Sequence, residues 1–417
     1  MRMNIGINAS FLAKPMTGIG QVTFNFLKEL KEFQTRLLDD GQVSNFKFQN
    51  EVSSFKFQDV RFVLYCQEEP KLDFELPENF EIRVFLPWWK RDDVIRQWLW
   101  ERQLAREAMQ DGCEVFFSLY QSATVFSQPI TYNLKPKTCR HVMLVHDLIP
   151  KLFPEYLSKW SNRFHYRAIL KAITQATALI TPSETTREDI VRLLGIEDRR
   201  ITTIPLGVEA RFFDRLDETE LAQALKRYNL TPGYLYHGGG LEVRKNTEAV
   251  LNAYAALCKE NGEEKKIPPL VISGRIYAAS NPLATPVVSL IETLGLVDRV
   301  KLLGLVPGED LPALYQGAKM FLFPSRYEGF GLPVLEAYAS GTPVITTRAG
   351  SLRELVAQGE ALVIENRKES ASELQTHMQE LLTQPNLAET LRARGQSRAR
   401  DFSWEQFTQG VMRTLLQ

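Results

Sequence analysis

A chain of 417 residues, 44% hydrophobic and 24% charged, has the size for two domains and the ordinary balance of a soluble globular fold. Its 50 basic and 50 acidic side chains cancel, so bulk charge offers nothing to a nucleic acid, and no such partner is expected. Cys66, Cys113, Cys139 and Cys258 are scattered without metal-like spacing and read as reduced thiols of a cytoplasmic protein.

The opening MRMNIGINASFL lacks the continuous apolar centre of a signal peptide, and residues 3–9 read as a strand. No stretch reaches the length of a membrane span, so membrane contact, if any, is expected to be peripheral, at the inner face. K-P-M-T-G-I-G at 14–20 then reads as a glycine-rich turn before a helix at 21–33, with Gly18 and Gly20 as candidates. It is not the G-x-G-x-x-G fingerprint, and a plain tight turn explains it as well. V-S-N-F-K-F-Q at 43–49 nearly repeats at 52–58 and reads as a surface insertion. Strands are expected at 61–65 and 114–118. Between them a helix at 94–109 follows Trp88, Trp89, Lys90, Arg91 and the pair Asp92–Asp93. The aromatics, with Trp98 and Trp100, are expected to pack on their own domain rather than on a membrane or a lipid-linked acceptor. The Asp pair reads as a helix cap, not a metal site.

A strand at 140–146 ends in His146 and Asp147. Ligands of doubly wound sheets bind beyond the carboxyl ends of strands, which is where His146 would stand, although a lone histidine is more often structural. A helix at 156–176, strands at 178–183 and 201–205 and a helix from Glu184 complete the first half, and 206–215 reads as the linker.

The second half repeats the alternation. Y-L-Y-H-G-G-G at 234–240 is a strand running into glycines, followed by Arg244, Lys245 and a helix at 247–260. Glycines such as Gly239 permit close approach, Arg244 can fork to two oxygens, and Lys245 adds a point charge, so the physical reading is a phosphate site. Strands follow at 269–274 and 300–303, the latter leading to Val306. Then comes K-M-F-L-F-P-S-R-Y-E-G-F-G-L-P-V-L-E from 319 to 336: a buried strand, a glycine-bearing loop and a helix opened by Pro333. The N–H groups of Phe330, Gly331 and Leu332 would face outward there, with Gly329 and Gly331 easing approach. Glu328 in the loop and Glu336, expected on the first helical turn, could each hold a vicinal diol, since a carboxylate only accepts. An anion cradle between two diol-holders suits a diphosphate between two sugars.

E-G-F-G-L-P-V-L-E at 328–336 resembles the Glu-x7-Glu signature of retaining family 4 glycosyltransferases, and G-G-x-x-x-R-K-N at 239–246 and H-D-L-I-P at 146–150 resemble further segments of that family. The resemblance spans nearly the whole chain and is strongest over 232–355. It implies an α/β protein of GT-B fold, with two Rossmann-like doubly wound domains facing a cleft: an acceptor-binding domain at 1–205 and a donor-binding domain at 206–401. A C-terminal helix at about 402–417 would cross back to the first. It implies a nucleotide-diphosphate sugar as co-substrate, a glycan or lipid-linked acceptor, front-side attack with a phosphate oxygen taking the acceptor proton, and no metal or other cofactor. Arg244 and Lys245 would neutralise the diphosphate, and Glu336 would hold the ribose. Glu328, Phe330 and Gly331 would grip the sugar, and Val306 would lie by the base. His146 would reach the donor sugar, with Asp147 toward the acceptor, and Gly18 and Gly20 would face the phosphates, although Gln21 stands where family members often carry Arg. A hydrolase or epimerase of the same fold and a non-catalytic nucleotide-sugar sensor stay open as alternatives.

Overall fold

The structure is a computed structural model, and it describes residues 3–14, 17–39, 60–89, 91, 93–126, 139–262, 267–278, 281–365 and 370–417. The near-repeat at 43–49 and 52–58, Lys90 and Asp92 lie outside these residues. The chain divides into two compact units, Met1–Gly207 with Trp404–Gln417, and Val208–Ser403.

Among the described residues the first unit holds seven strands: β1 (Met3–Asn8), β2 (Val60–Cys66), β3 (Phe80–Val84), β4 (Val115–Ser118), β5 (Arg140–Leu144), β6 (Ala178–Thr181) and β7 (Ile201–Thr203). They pair parallel throughout in the order β3-β2-β1-β4-β5-β6-β7. Parallel strands covered by helices on both faces need apolar side chains on both, which is why β2, β4 and β5 are nearly continuous apolar runs. β3 was not foreseen. It is an edge strand with Arg83 and Val84 exposed, so its sequence carries no buried run to reveal it.

The second unit holds β8 (Tyr234–His237), β9 (Leu270–Ser273), β10 (Val300–Gly304), β11 (Ala318–Phe323), β12 (Val344–Thr347) and β13 (Leu362–Ile364). Their order is β10-β9-β8-β11-β12-β13, again all parallel. Counted within the unit this is 3-2-1-4-5-6, the doubly wound dinucleotide-binding order, whose winding reverses between its first and fourth strands. Here those are β8 and β11. Leu235, Leu270, Ile272, Met320, Leu322 and Ile345, all at most 1% exposed, form the core beneath that point.

The closing helix, Trp404–Leu416, belongs to the first unit. Its Phe407, Val411, Met412 and Leu415 are fully buried. Phe407 meets Phe26 edge to face, and Arg140 donates to the carbonyls of Thr414 and Leu415 at 2.7 and 2.6 Å.

Local details differ from expectation at several places. The first long helix is Gly18–Asp39, so Gly18 and Gly20 lie inside its first turn instead of forming a free loop. Thr17 starts it: its hydroxyl accepts from the Gly20 N–H at 3.0 Å, a cap that the glycines beside it masked. The helix expected at 156–176 is a 3₁₀ turn, Pro154–Leu157, and a separate helix, Trp160–Gln175. Of the tryptophans, Trp100 is fully buried but Trp88 is 73% exposed, so the packing expectation fails for Trp88. Asp93 does cap its helix, accepting from Ile95 and Arg96.

Candidate functional site

The loops that follow β8 and β11 meet at the point of reversal in the second unit. After β8, Gly239 and Gly240 adopt left-handed φ values of +87° and +111°. A Cβ on Gly239 would stand 3.0 Å from the Phe323 ring and 3.1 Å from Pro333, so only glycine lets this loop pass so close to β11 and the helix after it. The chain then makes a short turn at Val243–Lys245 and enters the helix Thr247–Asn261 through Asn246, itself left-handed at φ +59°.

Arg244 and Lys245 converge on one acceptor. Glu328 Oε1 receives Arg244 Nη1 at 2.7 Å, Lys245 Nζ at 2.8 Å and the Ser325 hydroxyl at 2.6 Å. Glu328 is 7% and Lys245 5% exposed, and the ammonium lies 4.7 Å from the centre of the Phe323 ring. Burial opposes the charge on Glu328, but Lys245 and then Arg244 outweigh it and hold the carboxyl below its ordinary value. Burial likewise pulls the Lys245 ammonium down, against the lift from Glu328. The carboxylate's direction follows from the geometry, since a single oxygen faces two cations. The trio keeps one more positive than negative charge, so it attracts an anion. Glu328 Oε2 accepts no hydrogen bond among the described residues.

The loop after β11 is held from several sides. The Arg326 N–H donates to the Arg244 carbonyl at 2.8 Å. The Ser351 N–H donates to the Glu328 carbonyl at 3.0 Å and its hydroxyl to the Phe330 carbonyl at 2.7 Å. The helix that follows is Leu332–Ala339, with Gly331 before it at φ +111° and Pro333 second, so Leu332 and not Pro333 opens it. Gly329 takes no such φ, so of the two loop glycines only Gly331 needs to be glycine for its backbone angle. Among the described residues the N–H groups of Phe330, Gly331 and Leu332 meet no protein acceptor. They supply donors for an anion beside the two cations.

Glu336 is the fifth residue of that helix, past the first turn on which it was expected. It is 8% exposed and accepts from the Tyr315 hydroxyl at 2.9 Å. Burial raises its carboxyl to about 7, with Tyr315 pulling the other way. Burial therefore outweighs the helix dipole that was expected to favour its charge. Val306, buried, follows β10 two strands from the point of reversal. Between it and Glu336 runs the segment 209–212. A Cβ on Gly308 would stand 3.4 Å from Arg211 Nη2, while Arg211 and Glu209 both act on the Glu336 carboxyl.

His146 and Asp147 lie in the other unit, just beyond β5. Nε2 of half-buried His146 is 2.9 Å from the Leu119 carbonyl, which makes it the protonated nitrogen. Burial lowers the ring to about 4, so it is neutral near pH 7. Asp147 Oδ1 accepts from the Ile149 N–H at 2.9 Å. Gly18 and Gly20 are in this unit as well, while Gly239, Arg244, Lys245, Val306, Glu328, Gly329, Phe330, Gly331, Leu332 and Glu336 are all in the second.

Comparison with known proteins decides the family. Residues 220–398 match the family model described as glycosyl transferases group 1, and residues 54–212 match glycosyltransferase family 4. The chain is 33% identical over 270 residues to the O-antigen chain mannosyltransferase B of Escherichia coli, covering 64% of this chain and 68% of that one. This chain is a family 4 glycosyltransferase. The glycosyltransferase also matches the serotype-specific mannosyltransferase WbdA of Escherichia coli at 30% over 293 residues, which is 69% of this chain but 34% of that longer protein. In fold it is similar to WaaG, a glycosyltransferase of lipopolysaccharide biosynthesis, with a TM-score of 0.69 at 17% identity over 99% of each chain. It is also similar to Anabaena HepE in complex with UDP-glucose, with a TM-score of 0.70 at 16% identity over 100% of this chain and 99% of that one. The architecture is GT-B.

The glycosyltransferase places several residues in this site that its sequence did not single out. A Cβ on Gly350 would lie 2.4 Å from the Glu328 carbonyl oxygen, at φ +60°. His237, fully buried, links the Leu322 carbonyl (2.8 Å) to the Thr247 hydroxyl (2.9 Å), tying β8 to β11 and to the start of the Thr247–Asn261 helix. Ser325, Ser351, Tyr315, Glu209 and Arg211 complete the surroundings. Of these only Ser325, three residues from Glu328, carried a local signal. The rest are joined through the fold.

Proposed function

We propose that the enzyme transfers a sugar, with retention, from a nucleotide-diphosphate sugar to a hydroxyl of a glycan or lipid-linked acceptor, without a metal ion. The observation that carries this is the convergence of Arg244 and Lys245 on Glu328, beside three N–H groups that meet no acceptor among the described residues. A diphosphate takes those N–H groups and the two cations. They are fixed before reaction and neutralise the charge that builds on the phosphate as it leaves, which is the role a divalent cation fills in other transferases. Glu328 Oε2 accepts from a hydroxyl of the transferred sugar, and Glu336 Oε1 from the ribose. The bond from the anomeric carbon to the phosphate oxygen breaks and one to the acceptor oxygen forms on the same face. The acceptor proton passes to the departing phosphate oxygen.

The mannosyltransferase names of the relatives make a mannosyl donor the first to try. No helix among the described residues is long and apolar enough to cross a membrane, and any membrane contact of the enzyme is expected to be peripheral, at the inner face. A thermal-shift panel of guanosine, uridine and adenosine diphosphates and their sugars identifies the donor, because a ligand of the folded form raises the melting temperature. Product analysis with and without acceptor then separates transfer from hydrolysis or epimerisation. Full turnover in EDTA is expected. Loss of activity in EDTA, restored by Mg²⁺ or Mn²⁺, sinks the metal-free mechanism.

A further inference from the structure

Beyond the carboxyl ends of β1 and β2 the first unit carries a hollow of about 90 Å³, lined by Phe11, Lys14, Gln67, Glu68, Arg96 and Gln97 among others. None of these belongs to the donor machinery described above. Its floor is a polar chain running from half-buried Gln67 and Gln97 to buried Tyr120 and Glu101. Gln97 Nε2 donates to Tyr120 Oη at 2.7 Å and to Glu101 Oε1 at 2.9 Å, and Gln97 Oε1 accepts from Gln67 Nε2 at 2.7 Å. Glu101, fully buried, is held in turn by the Ala123 N–H and His165 Nε2, each at 2.9 Å. Tyr120 stands just past β4, so the chain spans the point where this sheet reverses its winding. Tyr120 also fixes the Phe11 ring, edge to face at 4.6 Å.

A buried carboxylate and five polar partners cost free energy to assemble. What they hold still is the wall of a hollow that offers the elements of sugar recognition: an aromatic ring, the Gln67 amide, which can donate and accept, two cations and a carboxylate. A hydroxyl-rich ligand both donates and accepts, and satisfies all of them. Lys14 and Arg96 would draw a phosphate as well, but a phosphate has few protons to give Glu68 or the Gln67 amide oxygen, which a hydroxyl satisfies. The volume is that of about six ordered waters, which the hydroxyl edge of one pyranose ring displaces.

We infer that this hollow is a subsite for one sugar residue of the acceptor glycan, with Phe11 as its apolar platform and Gln67, Glu68 and Arg96 as its hydroxyl contacts. The inference rests on the glycan-acceptor reading above and names where on this unit the acceptor is read.

Binding of linear α-mannotriose to the full chain, followed by saturation-transfer NMR and calorimetry, tests it against Arg96→Ala and Gln67→Ala, two substitutions of half-buried side chains. Each is expected to weaken mannotriose binding about tenfold, the worth of one hydrogen bond to a charged or buried partner, while the melting shift produced by nucleoside diphosphate stays as in the parent. Phe11→Leu, which keeps the volume but removes the ring, is expected to do the same if alanine there unfolds the chain. Mannotriose affinity unchanged in these variants overturns the assignment, and so does a parent chain that binds neither mannotriose nor a glucose or galactose trisaccharide. Competition of inorganic phosphate for the same residues also overturns it, in favour of an anion site. A chain that binds trisaccharide through Arg96 but shows no nucleotide shift preserves this subsite and removes the donor reading instead.

Discussion

Lys245 and Glu336 are ionisable side chains in nearly dry surroundings, and they make different predictions. Lys245 is one of two cations on Glu328. Lys245→Ala is expected to lower kcat by roughly two to three orders of magnitude, the usual loss when one preorganised charge facing a leaving group is removed, read from initial rates at saturating donor. Glu336 concerns stability as well. Its carboxyl sits at about 7 against an ordinary 4.5, chiefly through burial. Below the lower value the folded and unfolded chains both hold the proton. Between the two only the folded chain does, so unfolding releases a proton and stability is lost progressively as pH rises. Above the upper value the loss is complete, at about 3 kcal/mol. Urea unfolding at pH 5 and pH 8 is expected to show that loss in the parent and little of it in Glu336→Gln. If Glu336 also holds the ribose, nucleotide affinity in the parent weakens as pH falls below 7, because the protonated carboxyl gives up an acceptor.

At the scale of the element, the loop after β11 is shaped by a neighbour distant in sequence. Gly350 and Gly195 share nearly the same left-handed backbone, at φ +60° and +66°, but differ in room. A Cβ on Gly195 meets nothing within 4 Å, whereas one on Gly350 strikes the Glu328 carbonyl oxygen at 2.4 Å and its nitrogen at 2.9 Å. Gly195→Ala is therefore expected to cost only the conformational term, about 1–2 kcal/mol, with activity intact. Gly350→Ala must displace the Glu328 backbone. It is expected to cost more than that and to lower kcat/KM together with the melting temperature. Equal melting temperatures for the two variants would show that the loop yields freely to a side chain at position 350.

At the scale of the molecule, the first unit is completed by the last residues of the chain. Ending the chain after Ser403 removes four fully buried apolar side chains, Phe407, Val411, Met412 and Leu415. At about 2 kcal/mol each the loss is comparable to the whole stability of a domain. The truncated protein is expected to lose the cooperative unfolding of the first unit in calorimetry while the transition of Val208–Ser403 survives. Two intact transitions would mean that the closing helix is dispensable.

What the sequence determined by itself is whatever short-range chemistry can express. Continuous apolar runs such as M-F-L-F announced buried parallel strands, and glycines, Arg244 and Lys245 between a strand and a helix gave the expectation of an anion site, because backbone freedom and charge are local properties. The motif from 328 to 336 carried the family. The tertiary structure alone decided the rest. Strand order, which sets β8 against β11, brings Glu328 onto Arg244 and Lys245 from more than 80 residues away. Burial, which reverses the expected charge preference of Glu336, depends on Tyr315 and the 209–212 segment around it. The edge strand β3 and the start of the first helix at Gly18 escaped notice because partial exposure and a single capping threonine leave no periodic trace. Proximity between distant residues is a property of the packed chain, and no local pattern encodes it.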